Sequence, residues 1–304
     1  MSHRRALALM VLCTLLWSIA GVVTRQLDAA RSFEVTFWRS FFNAAALLAA
    51  LLFMRGAALW SDICRGGWAL WFSALCWAVM YTNFMLAITL TAVATVLVTM
   101  AVAPLVTAIF SRLFLRHRLP LRTWVAIGVA GLGIAWMFGR QALAAATGGG
   151  ASMNGALVAL GVPIAAAANW TLLQHMQQRH AADPSIEAPQ MLPAVLLGAV
   201  LSAAVTLPAA LPFSATAHDL AWLGLLGVVQ LAIPCLIVVR LTKVLAAPEI
   251  SLLGLLEVIF GVLLVWVGAG EVPAPEALVG GTLVLAALLG NEVQAMRERG
   301  AQRP

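Results

Sequence analysis

Charged side chains are scarce in this sequence: Asp, Glu, Lys and Arg make up 10% of 304 residues, against roughly 25% in ordinary soluble domains. With a hydrophobic fraction of 62% and a mean hydropathy of +0.97, there is too little charge to solvate a globular surface. Basic residues outnumber acidic ones 18 to 12, yet they stand singly between apolar runs. They form no stripe able to track a phosphate backbone, which excludes nucleic-acid binding.

Catalytic and cofactor motifs are missing as well. There is no H-E-x-x-H, no G-x-S-x-G and no G-x-x-x-x-G-K-[ST], and of five histidines only His175 falls at membrane depth. Chemistry needs a positioned nucleophile and base, paired acids or metal ligands. An enzyme embedded in the membrane is therefore a distant alternative, no cofactor or metal is expected, and direct ATP coupling lacks its phosphate loop. The four cysteines, Cys13, Cys64, Cys76 and Cys235, lie in or beside apolar runs without the paired spacings of metal sites or disulfide scaffolds. Arg4-Arg5 and the apolar run after them resemble a signal peptide, but no A-x-A site follows, and the run reads as a retained first helix.

What is present is a succession of long apolar runs. A hydrocarbon layer of ~30 Å requires ~20 apolar residues in a helix. Ten such runs are predicted, over 6–24, 35–54, 67–88, 92–111, 121–139, 153–174, 189–208, 220–240, 249–268 and 276–292. With the N-terminus inside, 14 basic residues fall on the cytoplasmic side, Arg25, Arg31 and Arg140 fall outside, and Arg39 lies within the second run. Positive residues are retained on the cytoplasmic side of short loops, so both termini are expected there.

The two halves of the chain resemble each other. Trp17 in the first run and Trp170 in the sixth are 153 residues apart; Trp68 and Trp222, opening the third and eighth, are 154 apart. His117 to Pro120 and Glu271 to Ala274 repeat the 154 offset. A first unit is expected over 1–142, a Gly/Ala-rich linker over 143–152 and a second unit over 153–304. Five spans per unit force the second to enter the membrane from the opposite side. The expected fold is thus an all-α integral membrane protein of ten helices in two inverted five-helix repeats, an arrangement typical of secondary transporters.

Short motifs carry a family resemblance. They include Trp17-Ser18, Phe37-Trp38-Arg39-Ser40, Ala87 to Ala94, Val102-Ala103-Pro104-Leu105, Arg118-Leu119-Pro120 and Gly128 to Gly133. In the second half come Ala247 to Leu253, Leu256-Glu257-Val258, Gly270-Glu271 and Val279-Gly280-Gly281. With these the chain resembles the ten-helix, EamA-type members of the drug/metabolite transporter superfamily, most of all the YddG-type amino-acid exporters. His117, where such repeats usually carry Glu, and Val258, where they carry Pro, depart from the pattern. The resemblance implies export of small metabolites, most of all amino acids, across a bacterial inner membrane. A pump for organic cations is the alternative. Monomer and homodimer both stay open.

Polar and aromatic groups inside the runs are the candidate site. Arg39 and Glu257 are the ionisable residues that stand out there, and such groups are rare in hydrocarbon unless they face protein or water. Arg39 reads as a partner for a substrate carboxylate or a snorkelling cation. Glu257 reads as a proton carrier, a partner for a substrate amine or a helix-packing group. Among the amides Asn43, Asn83, Asn169, Gln174, Gln190 and Gln230, the two expected on a cavity are Asn169 and Gln230. Trp17, Trp77, Tyr81 and Trp170 would wall it, Trp77 and Tyr81 sharing a face by their i, i+4 spacing. Trp60, Trp68, Trp124, Trp222 and Trp266 fall at run ends, as interfacial anchors do. Gly21, Pro163 and Pro234 are expected to bend runs 1, 6 and 8.

Overall fold

The computed structural model describes residues 2–30, 32–115, 153–182, 190–245 and 247–301, with positions 121, 124–126, 128, 129, 132, 133 and 136. Among these residues there is helix and no strand. The helices are α1 (His3–Thr24), α2 (Ser32–Arg55), α3 (Ala58–Arg65), α4 (Gly67–Leu90), α5 (Val93–Met100) and α6 (Ala103–Leu115). After them come α7 (Met153–Ala182), α8 (Leu192–Ala210), α9 (Ala217–Leu225), α10 (Ile233–Leu241), α11 (Ala247–Ala269) and α12 (Pro275–Ala301). A π-helical segment, Leu226–Ala232, joins α9 to α10 into one span.

Eight of the described helices or continuous helix pairs are long and apolar enough to cross a membrane. They coincide with predicted runs 1 to 4 and 6 to 9. α12 contains a shorter apolar stretch, Leu278–Ala287. Most of the predicted fifth run, and the whole expected linker over 143–152, lie outside the described residues; the described positions between 121 and 136 are helical.

Three departures from the predicted runs have local causes. The fourth run is broken into α5 and α6 at Ala101-Val102, just ahead of Pro104, which has no N–H to offer the Met100 carbonyl. The eighth run widens into the π segment ahead of Pro234, whose ring denies the Gln230 carbonyl its usual partner. The eight-residue α3, unforeseen because it is too short for a span, sits between Gly56 and Gly67, both at positive φ, and buries only Leu59.

Packing sorts the spans into two groups. α1 lies against α11 and against the π segment and α10, and α2 against α9 and the π segment. α7 lies against α4 and α6, and α8 against α4. The groups meet along α2 and α8 and where α5 touches α11. Small residues set the closest approaches: a Cβ on Gly227 would lie 2.8 Å from the Arg39 carbonyl, and one on Gly21 would lie 2.6 Å from Val265 and 2.7 Å from Val93.

Candidate functional site

Between the two groups lies a cavity of about 130 Å³, walled by α1, α2, the π segment and α11 on one side and by α4, α5 and α7 on the other. Trp17, Arg39, Trp77, Tyr81, Trp170, Gln230 and Glu257 all line it. The sequence had put Asn169 there too, but its side chain is fully buried and accepts from Ser73 Oγ at 2.6 Å, tying α7 to α4. One residue of helix is a rotation of about 100°, which turns Asn169 away while its neighbour Trp170 faces in.

Arg39 organises the polar part. Its guanidinium, 1% exposed, donates from Nε and Nη2 to Gln230 Oε1 at 3.2 and 3.1 Å and from Nη1 to the Tyr81 carbonyl at 3.4 Å. The ring of Phe84 lies 5.5 Å from the guanidinium carbon. Gln230 in turn donates from Nε2 to the Trp17 carbonyl at 3.2 Å, so one amide connects α2, the π segment and α1. These acceptors are neutral, and no described carboxylate forms an ion pair with Arg39. A charge removed from water needs compensation, and here the cavity is where a counter-charge can arrive.

Glu257 is 8% exposed and lines the same cavity from α11; its carbonyl accepts from Ser18 Oγ at 3.4 Å. The aromatic wall is built by contact between α4 and α7: Trp77 lies tilted by 32° against Tyr81 with centroids 5.5 Å apart and meets Trp170 edge to face, also at 5.5 Å. The Trp77 indole N–H is buried without a hydrogen-bond partner, a state that buried polar groups rarely keep unless a water or ligand completes them.

Several lining residues carry no mark that sequence reasoning could use. Met10, Met80, Met100 and Cys235 line the cavity alongside the aromatics. Methionines at helical spacing read as ordinary core. Of the other amides, Asn83 donates to the Val158 carbonyl at 3.1 Å and Gln174 accepts from the Ala247 N–H at 3.3 Å, both joining helices, while Gln190, just ahead of α8, accepts from Arg55 at the end of α2. Gly21 marks a close approach of α1 to α11 and α5, Pro163 lies inside α7, and Pro234 follows the π segment.

Residues 4–139 match the model of the EamA-like transporter family. Among curated proteins none matches the chain. Solved structures do, in 25 chains; one crystal structure, 18% identical, covers 96% of this chain and 99% of its own at a TM-score of 0.64, a likeness of fold. By the length and apolarity of its described helices the chain is a multi-pass membrane protein, and over residues 4–139 it is similar to the EamA-like transporter family.

Proposed function

We propose that the protein is a secondary transporter that exports amino acids, neutral or aromatic ones above all, in the manner of the YddG-type exporters. The observation that carries this reading is a cavity lined together by Arg39, Glu257 and five aromatic side chains, Phe84 among them. An amino acid offers a carboxylate to Arg39, an ammonium to Glu257 and a side chain to Trp17, Trp77, Tyr81 and Trp170. A guanidinium is suited to carboxylates, and aromatic faces accept both apolar and cationic groups. The volume of about 130 Å³ is below the roughly 300–1,000 Å³ of drug-sized sites and favours a small solute.

Two inverted repeats of five helices, over 1–142 and 153–304, account for the packing. Exchanging the halves maps the α1–α11 contact onto α7–α6, and the α4–α7 contact onto the eighth span against α1. It maps α4–α8 onto the eighth span against α2, and α2–α8 onto itself. A site on such an axis can be exposed first to one side and then to the other. We place the protein in a bacterial inner membrane with both termini cytoplasmic.

Export of organic cations is the second reading, favoured by the buried Glu257 beside an aromatic wall. The two are separated by counterflow of radiolabelled amino acids in proteoliposomes, with wild type, Trp17→Ala and Trp170→Ala compared. Saturable flux of particular amino acids, lost in both folded variants, supports the amino-acid reading and this cavity. Flux of quaternary ammonium compounds without amino-acid flux replaces it with the cation reading. Flux undiminished in both variants removes the cavity from the pathway.

A further inference from the structure

α11 ends at Ala269, and Gly270, at φ +67°, turns the chain so that Glu271 comes back over the junction of α4 and α5. Ala92, the residue ahead of α5, has no side chain that could cap the helix. Glu271 supplies the acceptor: Oε1 receives the Val93 N–H at 2.8 Å while Oε2 receives Arg25 Nε at 2.8 Å. Arg25 Nη2 completes the ring by donating to the Thr91 carbonyl at 3.3 Å. One carboxylate at a helix N-terminus thus joins the end of α1, the exit of α11 and the α4–α5 turn.

These three segments stand on opposite sides of the cavity, α1 and α11 on one side and α4 and α5 on the other. Another carboxylate at the same end behaves differently. Asp219 accepts from the backbone N–H groups of Asp28, Ala29 and Ala30 at 2.7 to 3.2 Å, but it joins α9 to the α1–α2 loop, both on one side. The opposite end of the molecule has a cavity of about 600 Å³ instead, bordered among others by Arg55, Gln177, Arg240 and Lys243. The offset of 154 sets Arg179 and His117 at the positions that match Arg25 and Glu271, two bases and no acid. Val93 maps to Ala247, whose N–H goes to Gln174 Oε1.

We propose that Arg25 and Glu271 form a latch that closes the transport cavity on their own face and biases the resting protein toward opening at the Arg55 end. The inference rests on the reading of the protein as a two-sided transporter, and not on its substrate. Breaking the ion pair between partly exposed groups shifts the ratio of the two states roughly two- to fivefold. Losing the charged acceptor of the Val93 N–H as well shifts it tenfold or more.

Cys235 lines the cavity and reports access without any substrate. In a background with Cys13, Cys64 and Cys76 replaced by Ala, its labelling by a charged, membrane-impermeant methanethiosulfonate is measured from each face of sealed vesicles. A separate cysteine-free chain carrying Asp28→Cys identifies the Arg25 face. Wild type is expected to label slowly from that face. Glu271→Gln should label two- to fivefold faster there and Glu271→Ala faster still, with labelling from the opposite face falling in step, while Asp219→Asn leaves the ratio of the faces unchanged. Unchanged labelling in both Glu271 variants overturns the latch. Faster labelling from both faces, with a lowered melting temperature, overturns it too, because a merely structural contact loosens the whole. The expected labelling in a protein that moves no amino acid upholds the latch and refutes the substrate reading alone.

Discussion

The Arg39 guanidinium and the Gln230 amide are held together by two hydrogen bonds to one oxygen, from Nε at 3.2 Å and from Nη2 at 3.1 Å. This arrangement orients the cation without neutralising it. Replacing Gln230 by Glu would neutralise it, because the new carboxylate would stand at hydrogen-bond distance from two guanidinium nitrogens. Gln230→Glu is expected to weaken amino-acid binding tenfold or more while leaving the melting temperature unchanged or raised; binding isotherms and thermal melts of the purified variant check both. Binding as tight as wild type would remove Arg39 from the carboxylate site.

The charge of Glu257 offers a test between the two proposed substrate classes. Glu257→Gln keeps the shape of the side chain and removes its capacity to hold a positive charge. Organic-cation flux is expected to disappear. Amino-acid flux should fall through a raised KM, by roughly tenfold for one lost charge-assisted contact. Initial rates across a concentration series distinguish a change in KM from one in maximal flux.

Asn169→Ala tests the opposite expectation. This side chain touches Ser73 and not the cavity, so its loss leaves a buried hydroxyl short of a partner. A fall in stability of roughly 0.6 to 1.7 kcal/mol is expected, as for other interhelical hydrogen bonds in membranes, with KM unchanged. A KM shift with unchanged stability would return Asn169 to the binding site.

Gly198 lies where α8 crosses α4: a Cβ there would meet Trp77 and would stand 2.9 Å from the Ala74 carbonyl. Neither the ring base nor the backbone can yield cheaply. Gly198→Ala should cost about 1 to 3 kcal/mol and tilt the Trp77 ring, so that stability and transport fall together. Denaturation in mild detergent and counterflow measure the two effects on one preparation.

Much of this architecture is legible in the sequence because the bilayer imposes a length. Eight runs placed by apolarity alone correspond to helices, seven with ends within four residues, while the helix of the sixth run, α7, continues eight residues past its predicted end to Ala182. Trp17 and Trp170 could be singled out by their common offset, and Arg39 and Glu257 by the cost of charge in hydrocarbon. What could not be read depends on rotation and on small irregularities. The inward face of Trp170 and the sideways face of Asn169 differ by one residue. The break at Ala101 and the widened turns after Leu225 depend on how Pro104 and Pro234 settle against neighbouring helices. Sequence names those prolines but not the resulting winding.

The π-helical segment Leu226–Ala232 has a consequence for how this gene can vary. A π turn holds one residue more than an α turn, and here the excess lies between Gly227, pressed against the α2 backbone, and Cys235 on the cavity wall. Deleting one residue of the segment would let it rewind to regular α-helix with Cys235 and the rest of α10 kept close to their present rotation, whereas a deletion in the α-helical parts of the span would carry everything beyond it about 100° around the axis. Single-codon losses should therefore be tolerated better at this segment than in the α-helical parts of the same span.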